Sequence, residues 1–339
     1  MKKKFFKRLL LIIASILVFL TAAIVLVPLF ISPSQIEGLA DAPEIKKNES
    51  RFINIPFEGT DGIEIHYMEK GRSDSDEPVF ILLHGSMYNL FTWDEVFDEF
   101  SSIGRTIAYD QAPYGLSEKL IAGDWTGENP YTQKAAVEQL VTFLDALKLE
   151  QVYLVGSSYG GTLAVRTAIE YKERVAGLIL VDAAVFVSES MPGWLVNSPQ
   201  MANVGPLMAR SMGSGTSFYE NCYADPNVFS GERKDNSMIM TEVNNWDFAL
   251  WQYLKAWSDV SFDFESRIPE IKVPALVISG EEDKVVPVAD SEKLNSLIPN
   301  SKLLLIPNIG HLPHEEAPEQ FIEIVFSWID DVVKTGASH

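Results

Sequence analysis

The stretch Val152-Tyr153-Leu154-Val155-Gly156-Ser157-Ser158-Tyr159-Gly160-Gly161 decides how the rest of the chain is read. An apolar run leads straight into a Gly-x-Ser-x-Gly string, and residues 159–171 then follow helical periodicity. Such a string alone arises by chance in roughly 0.1 of chains this long, taking Ser and Gly near 7% each. Between a strand and a helix it is far more specific. A turn that sharp tolerates only small flanking residues and holds the central side chain clear of the sheet edge. Ser158 is therefore predicted to stand exposed at a helix N-terminus, where a positive partial charge favours developing anions.

A serine hydroxyl is a poor nucleophile until a base takes its proton. The chain has five histidines: His66, His84, His311, His314 and His339. His66 falls in an early strand, His84 closes the third, and His339 is the last residue. The segment Asn308-Ile309-Gly310-His311-Leu312-Pro313-His314 follows the last strand and holds the other two. Gly310 permits a tight loop before His311, whereas His314 sits closer to the helix beginning near Glu316. The base must in turn be held by an acid that fixes its tautomer. After the seventh strand, Glu281, Glu282 and Asp283 offer three carboxylates, and Asp283 occupies the turn before Val286-Pro287. The order Ser158, Asp283, His311 separates this chain from the chymotrypsin and subtilisin arrangements.

Outward from that core, eight strands are predicted at 52–57, 63–68, 79–84, 105–109, 152–156, 177–181, 274–279 and 302–306. The later ones are nearly continuous Val/Ile/Leu, as expected of strands buried on both faces of a parallel sheet. Helical patterns at 131–147, 159–171, 289–297 and 316–333 alternate with them. That alternation predicts an α/β fold: a mostly parallel eight-stranded sheet with helices on both faces. Residues 51–182 and 269–339 would form this core. Residues 183–268 break the rhythm, holding six of nine Met and four of seven Trp with helical segments at 199–213 and 238–257. We read a helical cap inserted between the sixth and seventh strands. Some of its Met and aromatic residues are expected to line an apolar ligand site.

The N-terminus reads separately. Residues 2–8 carry five positive charges and no acid, and residues 9–31 run for 23 positions without a charge. A helix of that length spans about 34 Å, enough for a hydrocarbon core of about 30 Å. The run exceeds the apolar region of a cleaved signal, so an uncleaved transmembrane anchor is expected. The excess of Lys/Arg before the span predicts a cytoplasmic tail at 1–8, a span at 9–31 and an extracytoplasmic catalytic domain. Residues 32–50 are polar, contain Pro33 and Pro43, and read as a linker.

Charge and cysteine content exclude other classes. The chain has 27 Lys+Arg against 47 Asp+Glu, a net −20, and its first eight residues hold five of the positive charges. The remainder carries −25, which argues against nucleic acid as a partner and against anionic headgroups. A single cysteine, Cys222, rules out an intrachain disulfide framework and a multi-Cys zinc site.

Taken together, His84-Gly85-Ser86-Met87, Asp110 to Ser117, Gly156 to Gly160, the Asp283 turn and the His311 loop resemble the α/β-hydrolase superfamily. The resemblance covers about residues 51–333 and lies nearest the capped serine hydrolases, among esterases and carbon–carbon bond hydrolases. It implies Ser158 as nucleophile, His311 as base and Asp283 as orienting acid. It further implies an oxyanion hole from the backbone amides of Ser86 (or Met87) and Tyr159, with no metal or organic cofactor. The pattern departs at Pro113, where family members often carry a flexible Gly. Ser158 sets the chain apart from the dehalogenases and epoxide hydrolases, whose nucleophile is Asp. Ser86-Met87-Tyr88 and Tyr159 do not match the usual oxyanion loop and Trp of proline iminopeptidases. The implied activity is cleavage of apolar or acyl carboxylic esters. The alternatives are a meta-cleavage-type carbon–carbon hydrolase, for which Arg166 and Arg210 are the candidate carboxylate binders, and a non-catalytic binding module on the same scaffold.

Overall fold

Short Val/Ile/Leu runs with turns between them assemble as one eight-stranded sheet. The computed structural model describes residues 2–72, 77–186, 191–259 and 264–336; His339 and parts of the predicted cap, 187–190 and 260–263, lie outside them. The strands are β1 (Arg51–Ile55), β2 (Ile63–Lys70), β3 (Val79–Leu83), β4 (Arg105–Tyr109), β5 (Val152–Ser157), β6 (Val175–Val181), β7 (Ala275–Gly280) and β8 (Ser301–Ile306). Each lies within two residues of its predicted bounds. Their order is β1-β2-β4-β3-β5-β6-β7-β8. β1 and β2 pair antiparallel with each other, and β2 with β4; every other neighbouring pair is parallel.

Two cores form because successive side chains of a strand point to opposite faces. Ile81, Leu83, Leu154 and Val277 face one core together with Leu140 and Leu163, whereas Phe80, Leu82, Val155 and Ile278 face the other with Phe100 and Phe321. The first face is covered by α3 (Gln133–Ala146), α4 (Tyr159–Glu170) and α10 (Val288–Leu297). The second is covered by α2 (Asp94–Ile103) and α12 (Pro318–Gly336). Helix α2 is absent from the sequence prediction, although its acidic first turn and its buried Val96, Phe97 and Phe100 are helix signals. The short α11 (Pro313–Glu316) leads into α12.

Between β6 and β7 the chain forms the cap: α5 (Gly193–Val196), α6 (Pro199–Ser214), α7 (Ser217–Asn221), α8 (Gly231–Ser237) and α9 (Trp246–Ala256). Helices α6 and α9 pack closely, because a Cβ on Gly205 would lie 2.0 Å from the Trp251 indole. The predicted helix at 238–257 is broken: a 3-10 turn at Ile239–Glu242 precedes α9, and Asn245 adopts a left-handed backbone between them.

The N-terminal helix α1 (Lys2–Leu26) continues as a 3-10 turn to Phe30. Lys4–Phe30 is long and apolar enough to cross a membrane, and the most apolar window of 18 residues within it is not buried against the rest of the chain. Residues 32–50 are less free than a polar linker suggests. Ala40 exchanges backbone hydrogen bonds with Glu242 and Asn244 of the cap, Asn244 donates to Asp41, and Arg210 donates to the Ser34 carbonyl. The segment is a strap along the cap.

Asp110, after β4, organises the neighbouring loops. Its buried carboxylate accepts from the Leu90 and Leu116 amides, each at 2.7 Å, and meets His66 Nδ1 at 2.6 Å. Burial raises its pKa, but His66 and these donors outweigh that and hold it below the ordinary carboxylate range. The Ala112–Pro113 bond in the same loop is cis. Replacing Asp110 by Ala strands two buried amides and an imidazole, an expected loss of about 3–5 kcal/mol. Chemical denaturation of the full chain in detergent checks this, and an unchanged midpoint would contradict it.

Candidate active site

In the strand order β4-β3-β5 the chain runs from β3 to one side and returns to the other, which opens a crevice at the carboxyl ends of β3 and β5. Leu83 pairs with Gly156 there, so the loop after β3 lies beside the turn after β5. Ser158 caps α4 with φ +52° and ψ −117°, a backbone state uncommon for a side-chain-bearing residue. Its amide donates to the Val181 carbonyl at 2.9 Å, and its own carbonyl accepts from Gly161 and Ala184, both at 3.0 Å. Gly160 is required beside it: a Cβ there would lie 2.2 Å from the Leu83 carbonyl oxygen. Ser158 is half-buried, and among the described residues its hydroxyl has no hydrogen-bond partner.

The β3 loop carries Ser86 and Met87, the latter at φ +69°. Two cap tyrosines hold it. Tyr219 donates to the Met87 carbonyl at 2.9 Å, and the Tyr253 hydroxyl meets Ser86 Oγ at 3.0 Å. Among the described residues, no acceptor in the protein takes the amide hydrogen of Ser86 or Tyr159. His84 is buried below, with Nδ1 2.8 Å from the Gly85 carbonyl and Nε2 accepting from the Gln111 amide at 3.0 Å.

Asp283 and His311 meet at the ends of β7 and β8, with His311 Nδ1 2.7 Å from Asp283 Oδ2. The other oxygen of Asp283 accepts from the Val285 and Val286 amides at 2.6 and 3.0 Å. Burial acts against the charged carboxylate, but His311 and these amides outweigh it and hold Asp283 below its ordinary pKa. The His311 amide donates to the Cys222 carbonyl of the cap at 2.7 Å, so the cap also fixes the histidine loop. His314 is buried and stacked 4.2 Å from Trp93, and loss of solvation lowers its pKa to about 3.

Asp182, at the end of β6 with φ +43°, was missed from sequence. It is fully buried and accepts from Ser279 Oγ at 2.7 Å and the Gly280 amide at 3.1 Å. Burial, reinforced by the charge of Asp283, raises its pKa well above the ordinary value. Asp182, Asp283 and His311 offer ligand atoms within 4.8 Å of one another, a spacing that suits a metal ion as well as a hydrogen-bonded acid–base chain.

A cavity of about 640 Å³ lies between core and cap and reaches the site at Ser86 and Met87. Met191, Met208, Met212, Phe218, Trp251 and Trp257 line it, so the Met-rich cap does face an internal space. Neither candidate arginine lines it. Arg166 is bound to Gln133 and Glu170, and Arg210 to Asp247 and Ser34, which corrects the expectation that either is free to hold a substrate carboxylate.

Residues 78–318 match the alpha/beta hydrolase fold family. The chain belongs to that family. It is 26% identical over 295 residues to a 2-hydroxy-6-oxononadienedioate/2-hydroxy-6-oxononatrienedioate hydrolase of Paraburkholderia phymatum, covering 83% of this chain and 95% of the relative. It is 25% identical over 289 residues to a proline iminopeptidase of Lactobacillus crispatus, covering 79% and 95%. Among solved structures, a bacterial membrane phospholipase A superposes with a TM-score of 0.66 at 20% identity, covering 96% of this chain and 99% of that one. The chain is a hydrolase on this fold.

In this α/β hydrolase another buried acid sits where cap meets core. Glu315 of α11 accepts from Thr92 and from the Tyr223 hydroxyl, with Arg233 Nε 3.4 Å away. Burial raises its pKa to about 7, and nearby Asp94 is likewise raised to about 7, mainly by burial. A carboxyl raised on folding stabilises below its unfolded pKa and loses that contribution as pH rises through the folded value. The melting temperature is therefore expected to fall between pH 5 and pH 8, and Glu315→Gln to flatten that slope. Identical slopes in thermal melts would contradict the assignment.

Proposed function

We propose that this chain is a membrane-anchored serine hydrolase that cleaves carboxylic esters through an acyl-enzyme. Ser158 attacks the ester carbonyl while His311 takes its proton, and Asp283 holds the imidazole and stabilises its cation. The amides of Ser86 and Tyr159 stabilise the tetrahedral oxyanion. Collapse of the intermediate expels the alcohol with the proton from His311, and water repeats the sequence to release the acid. The observation that carries this reading is the turn at Ser158: a half-buried serine whose hydroxyl has no partner among the described residues, on a φ +52° backbone after β5, in a sheet whose later strands end at the Asp283–His311 pair, 2.7 Å apart. Residues 51–182 and 269–339 would be the catalytic core, 183–268 the cap and 9–31 the anchor. The five positive charges before the span support a cytoplasmic N-terminus and an extracytoplasmic catalytic domain.

The name of the Paraburkholderia relative supports a second reading, carbon–carbon cleavage of a vinylogous diketone by the same serine. Among the described residues the cavity lining presents no cation to a substrate carboxylate, which favours the ester. Turnover of p-nitrophenyl esters from acetate to palmitate, beside a 2-hydroxy-6-oxo-dienoate, separates the two. We expect ester turnover, and its loss in Ser158→Ala without loss of fold. Turnover of the dienoate alone would establish the second reading, and full ester activity in Ser158→Ala would overturn the mechanism.

A further inference from the structure

Among the described residues, exposed large apolar side chains occur in two places only. One is the N-terminal helix, from Phe5 to Phe30; the other is four cap positions, Trp194, Met208, Met212 and Phe218. A soluble surface rarely concentrates its exposed large apolar groups in this way without a partner. Three of the four, Met208, Met212 and Phe218, also line the cavity beside Ser86 and Met87, so they form its outer rim.

The two apolar regions are joined. Helix α6 starts against the end of the span: Gln200 Nε2 donates to the Val25 carbonyl at 3.1 Å and Asn203 Nδ2 to the Pro28 carbonyl at 3.0 Å. One helical stretch later Arg210 donates to the Ser34 carbonyl at 2.8 Å. Residues 25–34 thus run alongside α6, and the span emerges next to the cap helix that carries Met208 and Met212. Trp194 precedes α6 by one short turn and is 78% exposed, and Trp is a side chain favoured at the membrane–water interface.

We propose that the cavity opens onto the bilayer surface and takes its substrate from the membrane, so that the substrate is a long-chain acyl ester resident in the lipid. The acyl chain slides between Met208, Met212 and Phe218 into the apolar space, and its ester reaches the Ser86–Met87 loop. Flexible Met side chains suit chains of varied length. The charge of −25 outside the first 31 residues favours a neutral or zwitterionic surface over an anionic one. This rests on the ester-cleaving, anchored reading above.

The test uses the full chain in phosphatidylcholine vesicles with two substrates, 4-methylumbelliferyl oleate dissolved in the bilayer and p-nitrophenyl butyrate in water. Trp194→Glu, outside the cavity lining, is expected to slow the oleate ester by about tenfold while leaving butyrate turnover unchanged. Equal rates for variant and wild type on both substrates would overturn the proposal. Absence of wild-type butyrate and oleate turnover would instead overturn the ester chemistry beneath it. A second readout does not depend on turnover. Brominated phosphatidylcholine should quench wild-type fluorescence more than that of Trp194→Phe. Equal quenching overturns the proposal, as does a detergent-solubilised dimer that Trp194→Glu dissociates, which would assign the face to a second copy of this chain.

Discussion

The backbone of Ser158 is the constraint on which the rest of the site depends. A residue with a side chain at φ +52° costs of order 1–3 kcal/mol, and it persists only where its surroundings over-determine it. Here they do. Its amide is bonded to β6, its carbonyl to three further amides, and Gly160 brings α4 against the end of β3. That backbone makes Ser158 the residue between the end of β5 and the first residue of α4, so the N-terminus of α4 begins beside it. The strand order then sets the loops after β3, β6, β7 and β8 at the carboxyl ends of neighbouring parallel strands.

The cap is more than a cover. Tyr219 and Tyr253 hold the Ser86–Met87 loop, and the Cys222 carbonyl holds the His311 amide, so cap residues fix both sides of the site. The cap in turn is tied to the N-terminal helix through Gln200, Asn203 and Arg210 and to the strap at Ala40. A chain of direct contacts therefore runs from the apolar N-terminal helix through the cap to the loops around Ser158. Such a chain offers one physical route by which a surface at the end of α1 is felt at the site.

Much of this was legible in the sequence, for identifiable reasons. Buried parallel strands read as unbroken Val/Ile/Leu runs, and all eight were placed to within two residues. Ser158, Asp283 and His311 each sit in short loops whose sequence carries a local signal. What stayed hidden depends on distant contacts. Asp182 looks like any acid ending a strand until β6 pairs with β7 and brings it to Gly280. The bond from Tyr253 to Ser86 spans 167 residues and leaves no local trace. Residues 32–50 have linker composition, and only tertiary contact makes them a strap. Helix α2 differs, since its signals are local: an acidic first turn at Asp94 and Glu95 and an apolar face of Val96, Phe97 and Phe100.

The central claim is that one serine, activated by one histidine, does the chemistry. Its most direct test is labelling of the intact full-length chain with a fluorophosphonate, followed by mass spectrometry of the peptides. The account predicts a single phosphonyl adduct on Ser158 that forms far more slowly in His311→Ala. An adduct on another residue, or none from folded protein, would contradict it.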